Sequence, residues 1–254
     1  MRGLALLLAL GALAAGCRGP VPASPLPAGD PRPDALLAAW QAHTADRESL
    51  RAVARLAVDA PGARAGGEDL AFRSKQRLWL SRPAKLRVEV LGFLDTALAV
   101  LVTDGERYAL LESDRFEEGP IYDGLLWDAA RLDLSPEEAV EVILGAPDRG
   151  GDWRRSGAWQ VGDRVRIELA EGAARRTLEF GPEGELLVLS ATGGDGRAAW
   201  HARFDDYVPL DGVPFARRIS VESDAGRADL VLRDVELNPT IPEDWFRLEA
   251  PEGG

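Results

Sequence analysis

Cys17 is the only cysteine in 254 residues, so no disulfide can form within the chain and the fold must rest on packing. Positive charge is also scarce, with 30 Lys and Arg against 42 Asp and Glu and a formal charge of −12. Lys75 and Lys85 are the only lysines. Wrapping a phosphate backbone needs a cationic field over the surface, so nucleic acid is not an expected partner. Histidine is confined to His43 and His201. They fall on different expected elements, with no Cys or second His at ligand spacing, so no zinc site or other metal is expected.

Catalytic patterns are missing as well. There is no Gly-rich phosphate loop, no Gly-x-Ser-x-Gly elbow and no arrangement of a nucleophile with a base. Adjacent acids occur at Asp205-Asp206, Glu117-Glu118 and Glu137-Glu138. Neighbours on a strand point to opposite faces, so Asp205 and Asp206 do not form an acid/base pair by themselves, and caps and solvated turns suit these carboxylates better. Neither an enzyme nor a cofactor is expected.

Long hydrophobic runs are limited to the N-terminus, where Leu4 to Leu13 is nearly all apolar. At about 1.5 Å per residue it spans about half of a bilayer core of roughly 30 Å, too short for a permanent transmembrane helix. Met1-Arg2 precedes it, and the small residues Ala14-Ala15-Gly16 lead to Cys17. This is the layout of a secretory signal over 1–16. Leu13-Ala14-Ala15-Gly16-Cys17 resembles the lipobox of bacterial lipoproteins, with Ala14 where leucine is commonest. The resemblance implies a diacylglyceryl lipid on the Cys17 thiol and firm anchoring by several acyl chains such as palmitate. Arg18, in place of the aspartate that often marks retention in the inner membrane, points to the outer membrane, facing the periplasm. Residues 17–33 then read as the lipidated cysteine and a tether, since the prolines of GPVPASPLPAGDPRP disfavour helix and sheet alike.

Residues 34–250 read as one mainly β domain. Asp34 is placed to cap a helix through Trp40 that could reach Leu50. Strand signals follow at Arg55 to Val58, a Gly-rich turn at Gly62 to Gly67, and a long stretch from Asp69 to Ser81. In Lys85 to Val90, Leu86, Val88 and Val90 take one face and three charges the other. Asp104-Gly105 is a hairpin signal. A helix is expected in Tyr122 to Ala130, and a better-marked one where Ser135 caps Pro136, Glu137 and Glu138, ending at Gly145 and Pro147. From Trp159 to Val235 alternation returns, with turns at Gly172, Pro182-Glu183-Gly184, Gly193-Gly194, Asp211-Gly212 and Ala225-Gly226. About ten antiparallel strands with one apolar face need a cover, whether as a closed barrel, a sandwich, or a curved sheet closed over helices.

The order of signal, tether, helix, meander, central helices and second meander resembles the LolA/LolB group of periplasmic lipoprotein carriers and outer-membrane receptors. The best local matches are Leu78 to Val90 with the loop after it, Leu134-Ser135-Pro136-Glu137-Glu138 leading to Leu144-Gly145-Ala146-Pro147, and Val235-Glu236-Leu237-Asn238 with Phe246-Arg247-Leu248. An anchor of its own makes the chain more like the LolB-type receptor, although the middle helix lacks that group's tryptophan just before Gly145. The resemblance implies a half-open antiparallel β-barrel, or strongly curved sheet, with covering helices around an apolar cavity. That cavity would take acyl chains of other lipoproteins, delivered by a LolA-like carrier. Trp79, Leu86, Val88, Val90, Trp200, Phe204 and Phe215 are candidates for its lining, although ordinary core is the commoner role for any single aromatic residue. Phe93 and Leu94 stand at an expected hairpin tip where water normally selects polar residues. In the receptors the loop at the matching place projects an apolar side chain toward the membrane. A structural or adaptor lipoprotein using the same fold as a protein-binding module in an envelope complex is the alternative, and a hydrolase of envelope polymers a remoter third.

Overall fold

The protein is described as a computed structural model that covers residues 22–62, 69–146, 151–192 and 198–250. The expected signal, Cys17, most of the Gly62–Gly67 turn, Pro147 and the Gly193-Gly194 turn lie outside the described residues.

Among the described residues, fourteen strands form a single antiparallel sheet, more than the ten or so expected. In chain order they are β1 (Ala23–Pro25), β2 (Ser49–Ala60), β3 (Leu70–Ser81), β4 (Lys85–Leu91), β5 (Ala97–Asp104), β6 (Arg107–Glu112) and β7 (Arg115–Pro120). The second half holds β8 (Arg154–Val161), β9 (Arg164–Glu171), β10 (Ala174–Phe180), β11 (Leu186–Thr192), β12 (Ala198–Leu210), β13 (Val213–Ser223) and β14 (Gly226–Leu237). In space they run β1-β8-β9-β10-β11-β12-β13-β14-β2-β3-β4-β5-β6-β7, so β14 joins the two meanders by pairing with β2 and the sheet is not closed. Three helices, α1 (Arg32–Thr44), α2 (Leu125–Ala130) and α3 (Pro136–Leu144), cover it.

Alternation explains most of the sheet. In β2, Ala52, Ala54, Leu56, Val58 and Ala60 are buried, while Arg51, Arg55 and Asp59 are exposed, as the two-residue period of a strand requires. The β5–β6 hairpin turns where it was expected: Gly105 takes φ +102, and the Asp104 carboxylate accepts from the amides of Glu106 and Arg107 at 3.0 and 2.9 Å. Glycine reaches that conformation without a Cβ clash.

Two expectations are corrected at the N-terminus. The prolines do not keep the whole tether off the sheet, because Ala23–Pro25 pairs with Trp159–Val161 as an edge strand. Proline is tolerated at a sheet edge because its missing N–H is not needed by a second neighbour. The first helix begins at Arg32 without a side-chain cap and ends at Thr44. Asp34 lies in its first turn, and its carboxylate accepts from Arg155 Nε at 2.9 Å. Residues 49–54, within and beyond the expected helix, belong to β2.

Helix α3 is formed as the sequence suggests. The Ser135 hydroxyl accepts from the Glu138 amide at 3.1 Å, the Glu138 carboxylate accepts from the Ser135 amide at 2.8 Å, and Gly145 closes the helix at φ +58. It carries one buried acid, Glu141, which is ion-paired to Arg176 of β10. Removing one partner of a buried pair leaves the other charge uncompensated, at about 3–5 kcal/mol, whereas replacing both with apolar residues is often neutral. Arg176→Met should therefore destabilise the protein by about 3 kcal/mol or more in urea unfolding, and the Glu141→Leu/Arg176→Met double variant should regain most of the loss.

Candidate functional site: an apolar cavity beneath two helices

An apolar cavity of about 120 Å³ lies between the concave face of the sheet and α2 and α3. Leu78 and Leu80 of β3, Leu86, Val88 and Val90 of β4, Leu101 of β5 and Leu110 of β6 form its floor. Leu126 and Ala129 of α2, with Ala139, Val142 and Ile143 of α3, form its roof, and Leu230 of β14 contributes to a side. Leu86 is buried, whereas Val88 and Val90 remain half-buried, because no side chain fills the space above them. Gln76 is the one amide in the wall, and its Nε2 donates to Ser74 Oγ at 3.1 Å. An apolar cavity of this order stays dry and accepts a small apolar guest.

Trp79 also contributes to the wall, but its indole packs on the outside of the sheet, edge-on to Trp245 with centroids 5.6 Å apart. Its parity is opposite to that of Leu78 and Leu80, so the ring cannot point into the cavity. Arg87 lies over the same Trp245 ring at 4.5 Å. Glu89, expected to be a solvated charge, is buried beside Arg77 and Arg87.

The other aromatic candidates serve elsewhere. Trp200 is fully buried under α3, where its Nε1 donates to Glu138 Oε1 at 2.7 Å. Phe204 and Phe215 line a second, wider space of about 540 Å³ near the C-terminal ends of α1 and α3. These three rings lie on the other half of the concave face, and their alternation could reveal only that they point inward.

Arg47, which sequence reasoning passed over in the turn after α1, is the buried cation of that half. Its Nη1 donates to Leu144 O at 2.7 Å and its Nη2 to Pro214 O at 2.7 Å, with the guanidinium 5.4 Å from the Phe215 ring centroid. Burial pulls its pKa down to about 10, so it stays charged at neutral pH. Burial likewise pushes the Tyr207 phenol upward, and that hydroxyl donates to Leu186 O. His201 sits on the outer face of β12, where desolvation lowers its pKa. Among the described residues no group of three or more His, Cys, Asp or Glu is placed to hold a metal ion, and no helix is long and apolar enough to cross a membrane.

Between β4 and β5 the chain makes one 3-10 turn, Phe93–Asp95. Phe93 and Leu94 are 86% and 81% exposed, and Leu98 beside them is 58% exposed. Neither tip residue folds back onto the core. Leu94 and Asp95 hold positive φ values of 58° and 59°, a conformation that costs a residue with a Cβ about 1–2 kcal/mol. Gly92 N donates to Thr96 O at 2.8 Å, Thr96 Oγ1 to Phe93 O at 2.9 Å, and Lys75 Nζ to Asp95 Oδ1 at 2.7 Å. The backbone at the tip is thus fixed by hydrogen bonds while its apolar side chains face outward.

No family model and no curated protein sequence matches the chain. Solved structures do. A LolA superfamily protein from Nitrosomonas europaea superposes with a TM-score of 0.58 at 12% identity, over 85% of this chain and 97% of that one. A DUF1329 family protein from Desulfovibrio piger gives 0.54 at 13% identity, over 86% and 98%. A domain assigned to outer membrane lipoprotein sorting, from Vibrio parahaemolyticus, gives 0.50 at 8% identity, over 83% and 94%. At these identities the likeness is one of fold: the chain has the fold seen in the LolA superfamily.

Proposed function

We propose that this protein is a lipid-anchored envelope receptor of the LolB type, whose apolar cavity takes acyl chain from another lipoprotein and helps to place that lipoprotein in the outer membrane. The observation that carries the reading is the cavity under α2 and α3, with apolar walls and a single internally bonded amide. Each methylene moved from water into such a site gains about 0.8 kcal/mol, so a short stretch of acyl chain supplies useful affinity without any catalytic group.

Size sets the mechanism. At about 120 Å³ the space holds one short acyl segment, so several full chains require the roof to move. Helix α2 is the element suited to that. It has six residues and is flanked by left-handed Gly124 and Arg131 at φ 87° and 57°, and Leu125 and Leu126 are its buried anchors. The Phe93–Leu94 tip would hold the mouth of the receptor against the bilayer while Cys17 carries the permanent anchor. A LolA-like carrier would be the donor.

The small volume of the apolar cavity favours a second reading, an adaptor lipoprotein that uses the fold to bind protein in an envelope complex. Co-purified lipid separates the two: extraction of the purified, unlipidated protein should release acyl lipid if the cavity is used, and none if it is not.

Val90→Trp, which fills the space above β4, should lower the affinity for a fluorescent fatty acid about tenfold or more while unfolding remains cooperative, and unaltered binding would count against the cavity. Cys17→Ser should abolish palmitate labelling and release the protein from the membrane fraction. Transfer of a labelled lipoprotein from a LolA-type carrier should proceed with the parent and fall with Phe93→Ser/Leu94→Ser. Failure of the parent to accept cargo would overturn the receptor reading.

A further inference from the structure

Strand register gathers positive charge on the outer face of the sheet, in a chain whose formal charge is −12. Arg218, Val231, Arg55 and Lys75 stand in one cross-strand row over β13, β14, β2 and β3. Residues directly opposite one another share a face. The row on one side contains Arg203, Ser220, Asp229, Ala57 and Arg73. The row on the other side contains Arg233, Val53, Arg77 and Glu89.

Two carboxylates on this face are occupied: Asp229 is bonded to Arg227, and Glu89 to Arg77 and Arg87. Asp205, directly opposite Arg218, and Asp59, opposite Arg227, are exposed and form no ion pair among the described residues. By contrast, Arg55, Arg73, Arg203, Arg218 and Arg233 are all exposed, and none has an ion-pair partner among the described residues. Five arginines outside any ion pair on neighbouring strands, against the two unpaired carboxylates Asp59 and Asp205, leave an excess of positive charge that an anionic partner would relieve.

The strip also adjoins the apolar tip. Lys75 donates to the Asp95 carboxylate at 2.7 Å and Arg77 Nη2 to the Asp95 carbonyl at 3.4 Å, joining β3 to the turn that presents Phe93 and Leu94. Exposed Leu98 extends the apolar part. Cations next to projecting apolar side chains match the layering of a bilayer surface, with phosphates outside the acyl boundary. An acidic protein would satisfy the arginines but gives no use to Phe93 and Leu94.

We propose that the outer face of β12–β14 and β2–β3 is a docking surface for anionic phospholipid headgroups, orienting the protein so that the adjacent Phe93–Leu94 tip enters the bilayer. The proposal rests on reading that tip as a membrane contact and adds the lipid class that the surface selects. Each cation near an anionic surface contributes about a fivefold factor in partitioning.

The test uses the chain from residue 17 onward with Cys17→Ser, which keeps every described element. Its binding is measured by sedimentation with vesicles of phosphatidylcholine alone and of phosphatidylcholine with phosphatidylglycerol. The parent should bind the anionic vesicles about tenfold or more tightly than the neutral ones, and the preference should vanish near about 1 M salt, where the screening length falls to about 3 Å. Replacing Arg55, Arg73, Arg218 and Arg233 with glutamine should remove the preference without changing binding to neutral vesicles. Equal affinity of the parent for both vesicles, an unaltered preference in the four-fold variant, or salt-sensitive capture by polyglutamate without vesicle binding would overturn the proposal. Phe93→Ser/Leu94→Ser tests the underlying reading separately. If it binds both vesicles as the parent does, the tip is no membrane contact, while the charge dependence is judged on the arginine variant alone.

Discussion

Helix α3 is tied to the protein at both ends and in the middle, and the division of the interior follows from those ties. At its C-terminal end two otherwise orphan carbonyls are taken up, Leu144 O by Arg47 Nη1 and Gly145 O by Trp40 Nε1, the latter at 2.9 Å. Helix ends leave such carbonyls without intrahelical partners, so donors placed there fix both position and tilt. At the other end Glu138 completes the capping box and also receives the Trp200 indole N–H. Glu141 reaches Arg176 in between. Held in this way, α3 reaches β10 and β12 on one side and β4 on the other, where together with the shorter α2 it roofs the apolar cavity.

This arrangement shows how a sheet with one apolar face can be both stable and receptive. The half under α1 carries several of the largest buried side chains, among them Trp200, Phe180 and Phe215, with Trp40 edge-on to Phe180 at 6.2 Å between centroids. Interiors are close-packed, and a void forfeits contacts around its whole lining. Here the apolar cavity lies on one side and the wider space lined by Phe204 and Phe215 on the other, and α3 borders both.

Much of this was legible because the signals were local. The strict alternation of Leu86, Val88 and Val90, the Asp104-Gly105 turn, and Ser135 followed by Glu138 each specify their structure within a few residues. What was not legible depended on partners distant in sequence. Ala23–Pro25 becomes a strand only because β8 offers an edge, and its prolines suggested the contrary. The first half of β2, Ser49 to Ala54, is rich in alanine and follows a helix, so its strand state is set by β14 and β3 on its two sides. Arg115–Pro120, with Phe116 as its one large apolar side chain, is a strand by virtue of β6. Trp79 was placed inside on its residue type, and parity together with the C-terminal Trp245 puts its ring outside. Arg47 carried no motif, and its importance appears only where two chain segments bring carbonyls to it.

The docking of Ala23–Pro25 changes the mechanical character of the N-terminal segment. A free tether from residue 17 to residue 33 could pay out to about 55 Å when fully extended, at about 3.5 Å per residue. With β1 fastened beside β8, five residues lie between Cys17 and Ala23, and their fully extended reach is about 20 Å. Under the proposed lipidation of Cys17, so short a leash would keep the body at one bilayer surface, and a cargo would have to be brought to it.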